Sequence, residues 1–358
     1  MKRATSIRRL AILLAVGAPL LTAAAYAQTP MFSVTVLPNV PGGTSSGAYG
    51  VNNVGEVVGV VIGSTTCPME DFCAVIWQDG TPTILGAVAG AIRSSPVGIN
   101  NAGQVVGNIV TANGNNQAVI WNNGTPTLLP SPSPQYTQTF ASFVNDAGQV
   151  VGYAENDSSQ VAVVWSGLTA IELGLGANEF GEALGINSSG LMVGEIHNVP
   201  VVWHGTQPTK LPINPGSNGG KALAVDNAGI VVGVTTESGT LYGSRAAAWA
   251  NGGMTDLGTL NGQSSATAIN NRGIIVGKSW ATGAKGPHAV VWSRMAAPIQ
   301  DLNNLISITD SQALILQFAY SINDNCSIAV QGLTRQTKIY QAVVLTLNDP
   351  SKCVNGGF

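Results

Sequence analysis

The chain repeats one short pattern seven times, and this repetition restricts it to very few folds. Each copy has a branched apolar residue, then Asn or Asp, then a short polar turn that usually contains Gly, then a valine-rich run. The first copy reads Val51-Asn52-Asn53-Val54-Gly55-Glu56-Val57-Val58-Gly59. The others begin at Ile99-Asn100, Val144-Asn145, Ile186-Asn187, Val225-Asp226, Ile269-Asn270 and Ile322-Asn323.

A second apolar run follows each copy, and in six of them it ends in tryptophan. The seventh has Ala342-Val343-Val344-Leu345 instead. The six tryptophans lie 44, 44, 38, 46 and 43 residues apart, a period typical of propellers and other repeat arrays. Because they share one phase of a buried strand, we predict that they pack between repeats, whereas Trp280 is out of phase, in the loop after Gly277, and is expected to be exposed. The six are Trp77, Trp121, Trp165, Trp203, Trp249 and Trp292.

One repeat contains four short strands. In residues 250–292, strand-like runs occur at 254–258, 265–269, 274–277 and 289–292, separated by turn residues. Four strands in about 44 residues make one propeller blade. A three-residue hairpin needs a positive φ, which Gly adopts readily. Cys326 stands in that slot in the seventh copy, so we expect its hairpin to differ. The other six copies have Gly55, Gly103, Gly148, Gly190, Gly229 and Gly273.

These observations predict an all-β, seven-bladed β-propeller with the Ile-Asn strand innermost. The last blade lacks an outer strand, and the N-terminal run Ser33–Leu37 matches the missing one. Its insertion would remove exposed sheet edges and join the chain ends. The alternative is a β-solenoid, whose units are normally shorter and more uniform.

Residues 1–27 have the pattern of a secretory signal peptide. Four basic residues flank a short apolar run that ends before Ala25-Tyr26-Ala27, a small-x-small cleavage signal. We therefore predict one propeller domain over residues 28–358, secreted or periplasmic in a bacterium. The general secretory route is favoured, with Arg8-Arg9 leaving twin-arginine export open. The apolar run is short for a membrane span.

Charge excludes some partners. Removal of residues 1–27 takes away four of the 15 basic residues and leaves 11 against 18 acidic ones, a formal charge near −7. Nucleic-acid binding depends on phosphate neutralisation, and adsorption to anionic lipid depends on basic clusters. We expect neither, and we expect a monomer.

The four cysteines predict two disulfides. Cys67 and Cys73 are six residues apart, and Cys326 and Cys353 are 27 apart. In an oxidising compartment such local pairs form disulfides. The histidines are distant from the cysteines and Cys-x-x-Cys is absent, so we predict no metal and no cofactor.

The repeats resemble a known bacterial family, the HAF-type extracellular repeat. The resemblance rests on Ala247-Ala248-Trp249-Ala250-Asn251-Gly252-Gly253-Met254-Thr255-Asp256-Leu257-Gly258, on the Ile-Asn pattern after it, and on Asp301-Leu302-Asn303-Asn304-Leu305-Ile306. It covers about residues 33–347, and the triplet that names the family survives only as His288-Ala289-Val290. The resemblance implies export and implies no established catalytic residue.

The sequence lacks a recognisable catalytic motif such as Gly-x-Ser-x-Gly or a phosphate-binding loop. In the predicted blade order, the loops before the Ile-Asn strand and before the tryptophan strand share one rim. Glu182 and Lys221 occupy the same repeat position and are expected to face each other across adjacent blades. Arg245 and Lys285 also lie in these loops. The candidate ligand-binding residues are Arg93, Tyr136, Glu179, Glu182, Lys221 and Trp280.

Two functions fit this sequence. The first is an exported, non-enzymatic binding scaffold whose variable rim holds a glycan, a peptide or an envelope protein. The second is a propeller hydrolase or lyase acting on polysaccharide, with Glu179 and Glu182 as paired carboxylates. The scarcity of charge, 9% of residues, favours the first.

Overall fold

Seven antiparallel four-stranded sheets form a closed ring. The computed structural model describes residues 29–67, 72–174, 180–237 and 243–355. Within them each sheet packs against the next along the chain, and the first packs against the last. This arrangement confirms the seven-bladed propeller, and the alternative, a β-solenoid, is wrong because each sheet is separate and antiparallel.

The first six blades each take four consecutive strands, ordered from the axis outwards. Blades 1 to 3 contain β2 (Ser45–Val51), β3 (Val57–Ile62), β4 (Phe72–Gln78), β5 (Thr81–Ile84); β6 (Ala91–Ile99), β7 (Val105–Thr111), β8 (Asn116–Asn122), β9 (Thr125–Leu128); and β10 (Gln138–Val144), β11 (Gln149–Glu155), β12 (Gln160–Ser166), β13 (Thr169–Leu173). Blades 4 to 6 contain β14 (Gly181–Ile186), β15 (Met192–Ile196), β16 (Val199–His204), β17 (Gln207–Lys210); β18 (Ser217–Val225), β19 (Val231–Glu237), β20 (Ser244–Ala250), β21 (Gly253–Gly258); and β22 (Asn261–Ile269), β23 (Ile275–Ala281), β24 (Pro287–Trp292), β25 (Gln300–Asp301).

Blade 7 is built from both ends of the described chain. Its inner strands are β26 (Leu314–Ile322), β27 (Ile328–Thr334) and β28 (Tyr340–Leu347), and its outer strand is β1 (Phe32–Val36). Strand β1 pairs antiparallel with β28. The predicted closure is therefore confirmed, with the strand beginning one residue earlier than expected.

Three short helices accompany the last blades, and the sequence analysis does not predict them. A 3₁₀ helix (Leu302–Asn304) and α1 (Ile308–Ala313) precede β26, and α2 (Ser351–Asn355) follows β28. Ser307 caps α1, because its side chain accepts a hydrogen bond from the Asp310 N–H. In the part of the chain that the structure describes, none of the helices is long and apolar enough to cross a membrane.

The hydrophobic core lies between the blades. All six in-phase tryptophans are almost fully buried, which confirms the prediction that they pack between repeats. The indole N–H of Trp121 donates to the Gly86 carbonyl at 2.8 Å and that of Trp165 to the Pro130 carbonyl at 2.7 Å. Each of these bonds joins one blade to the chain that enters it from the preceding blade. Five of the six buried indole N–H groups have such a partner, which fixes the orientation of the ring, and that of Trp203 has none.

Each innermost strand carries a β-bulge at the same point of the repeat. In blade 1 the register shifts between Ala48 and Gly50, and in blade 7 between Ala319 and Ser321. A bulge gives the strand an extra residue that leaves the ladder and bends the strand. The bulged residues line a cavity of about 260 Å³ on the axis. They are Tyr49, Val97, Ser142, Leu184, Leu223, Thr267 and Tyr320.

The seventh hairpin does not differ from the others, so that expectation was wrong. Gly55 has φ +90° and Gly273 has φ +75°, and Cys326 adopts φ +61° in the same slot. Its N–H donates to the Asn323 carbonyl at 3.0 Å, as the Gly273 N–H does to the Asn270 carbonyl. A Cβ in the left-handed region costs about 1–2 kcal/mol, which the surrounding bonds must offset.

Strand lengths were underestimated in blade 6. Strands β22 and β23 extend into segments that were predicted as loops, because their ladder continues from Ser264↔Ser279 to Asn261↔Ala281. Trp280 consequently lies in β23, opposite Pro287 of β24, and not in a loop. Its predicted exposure is confirmed, since it is 36% exposed.

Candidate binding face

The two ends of the axis are built differently. We call the end that carries the seven Asn hairpins the asparagine face. The opposite end, with the loops between the second and third strands and the loops that join successive blades, is the loop face. The loop face contains the rim on which the ligand-binding residues were predicted.

On the asparagine face, one repeated side chain links the blades. In each hairpin its Oδ1 accepts the N–H four residues later, as Asn52 does from Glu56 at 2.9 Å. In six blades its Nδ2 also donates to the backbone carbonyl of the equivalent residue in the next blade, over 2.8–3.1 Å. We call this the asparagine ring. The donors are Asn52, Asn100, Asn145, Asn187, Asn270 and Asn323.

Asp226 holds the equivalent position in blade 5, and it interrupts the ring. An ionised carboxylate accepts hydrogen bonds but donates none, so it cannot reproduce the amide contact with the Asn270 carbonyl. Its Oδ1 still accepts the Ile230 N–H at 2.7 Å. Burial raises the pKa of Asp226, and the backbone hydrogen bonds of its own turn oppose that effect only in part.

The next residue of each hairpin forms a second set of bonds around the axis. The Asn271 N–H donates to Asp324 Oδ1 at 2.8 Å, and the Asp324 N–H donates to Asn53 Oδ1 at 2.8 Å. Asp146 accepts the Asn101 N–H in the same way. These acids therefore serve the hairpins, and the described residues contain no group of three His, Cys, Asp or Glu that could hold a metal. The asparagine face uses its polar groups to join blades.

On the loop face, the same repeat position carries a different chemistry in almost every blade. This position lies on the inner strand, five residues before the ring position, on the loop-face side of the bulge. Its neighbour on the second strand also varies. The inner-strand residues in blade order are Gly47, Ser95, Phe140, Glu182, Lys221, Ser265 and Phe318.

Glu182 and Lys221 meet, as predicted, across blades 4 and 5. The Lys221 Nζ lies 2.7 Å from Glu182 Oε2 and 3.6 Å from Glu195 Oε1. The other Glu182 oxygen accepts from Gln160 Nε2 of blade 3 at 3.2 Å. Burial lowers the pKa of Lys221, but its hydrogen bonds and attraction to Glu182 and Glu195 outweigh burial and raise the pKa overall. One carboxylate thus connects three blades.

An aromatic pair adjoins this network in blade 3. The rings of Phe140 and Tyr153 stack with centroids 4.5 Å apart and an interplanar angle of 12°. Burial raises the pKa of the Tyr153 phenol, and the charges of Glu182 and Glu155 add to the shift. Burial and Glu182 likewise raise the pKa of Glu155. The loop face around Tyr153, Glu155 and Glu182 is therefore acidic, and Lys221 pairs with Glu182 there.

The other predicted rim residues are spread around the loop face. Arg93 is exposed, and its guanidinium carbon lies 5.7 Å from the Phe72 ring centroid. Trp280 lines a surface groove of about 600 Å³ between blades 5 and 6. Arg245 borders the same groove and pairs with Asp256 at 2.6 Å. Lys285 is exposed on the loop before β24.

Of the remaining predicted residues, one is buried and one lies outside the described residues. Tyr136 is 5% exposed and packs in the core between blades 2 and 3, because the loop that carries it folds inwards against β10 and β12. It is therefore corrected to a core residue. Glu179 lies outside the described residues, and so does its suggested pairing with Glu182.

Both predicted disulfides are present. The Cα atoms are 5.8 Å apart in Cys67–Cys73 and 5.9 Å apart in Cys326–Cys353, within the range that disulfides need. The second bond ties α2 to the hairpin of blade 7. Two disulfides are consistent with an oxidising environment.

Sequence reasoning missed a group on blades 6 and 7. Lys278 of β23 lies over the ring of Phe318 of β26, and Tyr320 stacks on Phe318 and lines the axial cavity. Gln317, next to Phe318 in the chain, is buried against Gly286 of blade 6. These residues lie in strands, whereas the predicted rim consists of loops. The repeat position would have found Phe318, since it is equivalent to Glu182 and Lys221.

Comparisons with known proteins bear on the fold. The sequence matches no family model, and no curated protein matches it. The chain is similar to one in "Crystal Structure of Mitotic Checkpoint Complex", with TM-score 0.52 and 14% identity over 96% of this chain and 99% of that one. Two weaker similarities are to "YCF48 bound to D1 peptide" (TM-score 0.48, 10% identity, 89% and 97% covered) and TolB from Acinetobacter baumannii (TM-score 0.42, 11% identity, 89% and 80% covered). At these identities the likeness concerns the fold alone, and by its fold this chain is a β-propeller.

Proposed function

We propose that the protein is an exported, non-enzymatic binding scaffold whose loop face holds a glycan, a peptide or an envelope protein. The difference between its two faces carries this proposal. Six of the seven repeats keep the same asparagine on the asparagine face, where it joins blades. On the loop face the equivalent positions hold one acid, one lysine, two aromatic residues, two serines and a glycine, a variation expected of a surface adapted to a partner.

Three further observations support export. The N-terminal pattern is that of a signal peptide, the repeats resemble the HAF-type extracellular family, and two disulfides join all four cysteines. We accordingly assign the chain to that family as part of the proposal. Its acidic character after removal of residues 1–27 argues against nucleic acid as the partner, and we expect it to act as a monomer.

A binding screen with face-specific variants tests the proposal. The protein from residue 28 would be presented to glycan and peptide arrays, together with Lys221→Met and Glu182→Gln on the loop face. Val54→Ala is the matched control, because Val54 is exposed on the asparagine face and lies outside both sets of ring bonds. Capture that falls in the loop-face variants and persists in the control supports the scaffold. Capture that is lost only in the control would place the binding surface on the asparagine face and would contradict the proposal.

One observation favours a second candidate, a polysaccharide hydrolase or lyase. Burial and the charge of Glu182 raise the pKa of Glu155, and glycoside hydrolysis uses a pair of carboxyl groups of which one has a raised pKa. Against this candidate, the Lys221 Nζ lies 2.7 Å from Glu182 Oε2, which indicates that Glu182 forms a structural ion pair. If the protein releases reducing sugar from polysaccharide, and both Glu155→Gln and Glu182→Gln abolish this release, the protein is an enzyme and the scaffold proposal is rejected.

A further inference from the structure

The boundary between blades 6 and 7 leaves a cation without a counter-charge. Lys278 is half-buried on β23, and its Nζ lies 5.0 Å from the centroid of the Phe318 ring. Burial lowers its pKa, and the described residues place no carboxylate close enough to oppose that effect. By contrast, Lys221 has Glu182 and Glu195. Lys278 has only an aromatic face, which stabilises an ammonium less than an anion does.

The same boundary also leaves a buried acceptor without a donor. Gln317 is 8% exposed, and its Oε1 has no hydrogen-bond partner. In the equivalent position four other blades place a hydroxyl that accepts an N–H from the preceding blade, as Ser94 does from Ala74 at 3.1 Å. Gln317 instead lies against Gly286, where a side chain would come within 2.8 Å of its Nε2. An unpaired buried acceptor costs about 1–3 kcal/mol, so it needs a reason.

Aromatic rings connect this boundary to the axial cavity. Phe318 and Tyr320 stack with centroids 5.8 Å apart at 21°, and Tyr320 meets Tyr49 edge-on at 5.1 Å. Tyr49 and Tyr320 line the cavity of about 260 Å³, and Tyr320 remains partly exposed.

We propose that the loop face at the blade 6–7 boundary binds an acidic sugar residue, a pyranose that carries a carboxylate. Lys278 pairs with the carboxylate, Gln317 Oε1 accepts from a hydroxyl, and the aromatic rings contact the apolar face of the sugar. A pyranose fits this set because it combines an anion, hydroxyl donors and a flat C–H face in one ring. The inference rests on the proposed binding function and names the ligand class within it.

Calorimetric titration of the protein from residue 28 with oligogalacturonate tests this site. The neutral galactose oligomer of equal length and a short peptide with a C-terminal tyrosine are the comparison ligands. We expect saturable binding of oligogalacturonate and at least tenfold weaker binding of the neutral sugar, because the neutral sugar has no carboxylate to pair with Lys278. A tenfold difference in affinity corresponds to about 1.4 kcal/mol. Lys278→Met, which keeps the apolar stem, should weaken oligogalacturonate about tenfold and leave the neutral sugar unchanged.

Matched variants keep the result interpretable. Lys285→Met removes an exposed lysine of the same blade and should leave the affinity unchanged, and Phe318→Leu should weaken both sugars. Unaltered thermal unfolding of Lys278→Met shows that its loss of binding is not a loss of fold. The proposal is overturned if Lys278→Met and Lys285→Met behave alike, or if the peptide is preferred. Binding of a neutral glycan or peptide through Lys221 and Glu182 alone would overturn this site but retain the scaffold, whereas binding of no ligand on any array would overturn both.

Discussion

Asn323 Nδ2 donates to the Asn52 carbonyl at 2.8 Å and joins the last blade to the first across 271 positions of sequence. This bond belongs to the asparagine ring and spans the junction of blade 7 with blade 1, and blade 7 is itself completed by β1. Both contacts depend on the complete circle of blades. A residue that looks like an ordinary turn former therefore also holds the ring together.

Replacement of Asn323 by Asp should destabilise the fold. The carboxylate keeps the turn bond to the Ser327 N–H but cannot donate to the Asn52 carbonyl. We expect a loss of about 1–3 kcal/mol in the free energy of unfolding, measured by urea denaturation at neutral pH. Asn122→Asp is the control, because Asn122 is exposed on the same face and its Oδ1 accepts from Gln104 Nε2, a bond that a carboxylate keeps. Equal losses would show that the ring bond has no special weight.

The reciprocal change at Asp226 should stabilise the protein. Asp226→Asn supplies the missing amide donor towards Asn270 and completes the ring. A net hydrogen bond of this kind is worth about 1 kcal/mol, so the melting temperature at neutral pH should rise. A lower melting temperature would mean that the distance between blades 5 and 6 does not allow an amide at position 226 to reach the Asn270 carbonyl.

Asp226 should also make stability depend on pH. Burial raises its pKa in the folded protein above the value in the unfolded chain, so the folded state binds the proton more tightly. Its contribution is present at low pH and is lost as pH rises through the folded pKa. The stability difference between Asp226→Asn and the wild type should therefore grow from about pH 4 to pH 7. A difference that is constant over this range would contradict the assignment.

The disulfide Cys326–Cys353 should contribute more to stability than Cys67–Cys73. It closes a loop of 27 residues rather than six, and a cross-link of this length is worth about 3 kcal/mol in the chain-entropy model. The test variant is Cys326→Gly with Cys353→Ala, because Gly suits the φ of +61° at position 326. Denaturation of this variant and of Cys67→Ala with Cys73→Ala should rank the two bonds, and the reverse order would reject the loop-length argument.

The two kinds of tryptophan should respond differently to the same substitution. Trp165→Phe removes the indole N–H that donates to the Pro130 carbonyl and leaves a small void in the core, for a loss of about 1–3 kcal/mol. Trp280→Phe changes a partly exposed ring and should shift stability by no more than about 0.5 kcal/mol. Equal losses in thermal unfolding would contradict the division into packing and surface residues.

The sequence alone determined the number of blades, the order of strands within each blade, the closing strand, both disulfides and the burial of the six tryptophans. These features follow from local signals, namely apolar periodicity, turn residues and the spacing between copies. Even the pairing of Glu182 with Lys221 could be predicted, because equal positions in successive repeats must be neighbours in a ring.

Only the tertiary structure decided which side chains the blades bring within bonding distance. The asparagine ring depends on how far each hairpin is displaced from the next, and no pattern within a single repeat encodes that distance. Tyr136 turned inwards because its loop folds over a neighbouring blade. Lys278 and Gln317 were left without an anion and a donor for the same reason, since their surroundings come from two blades at once. Local sequence specifies each blade, whereas the contacts between blades arise from the geometry of their packing.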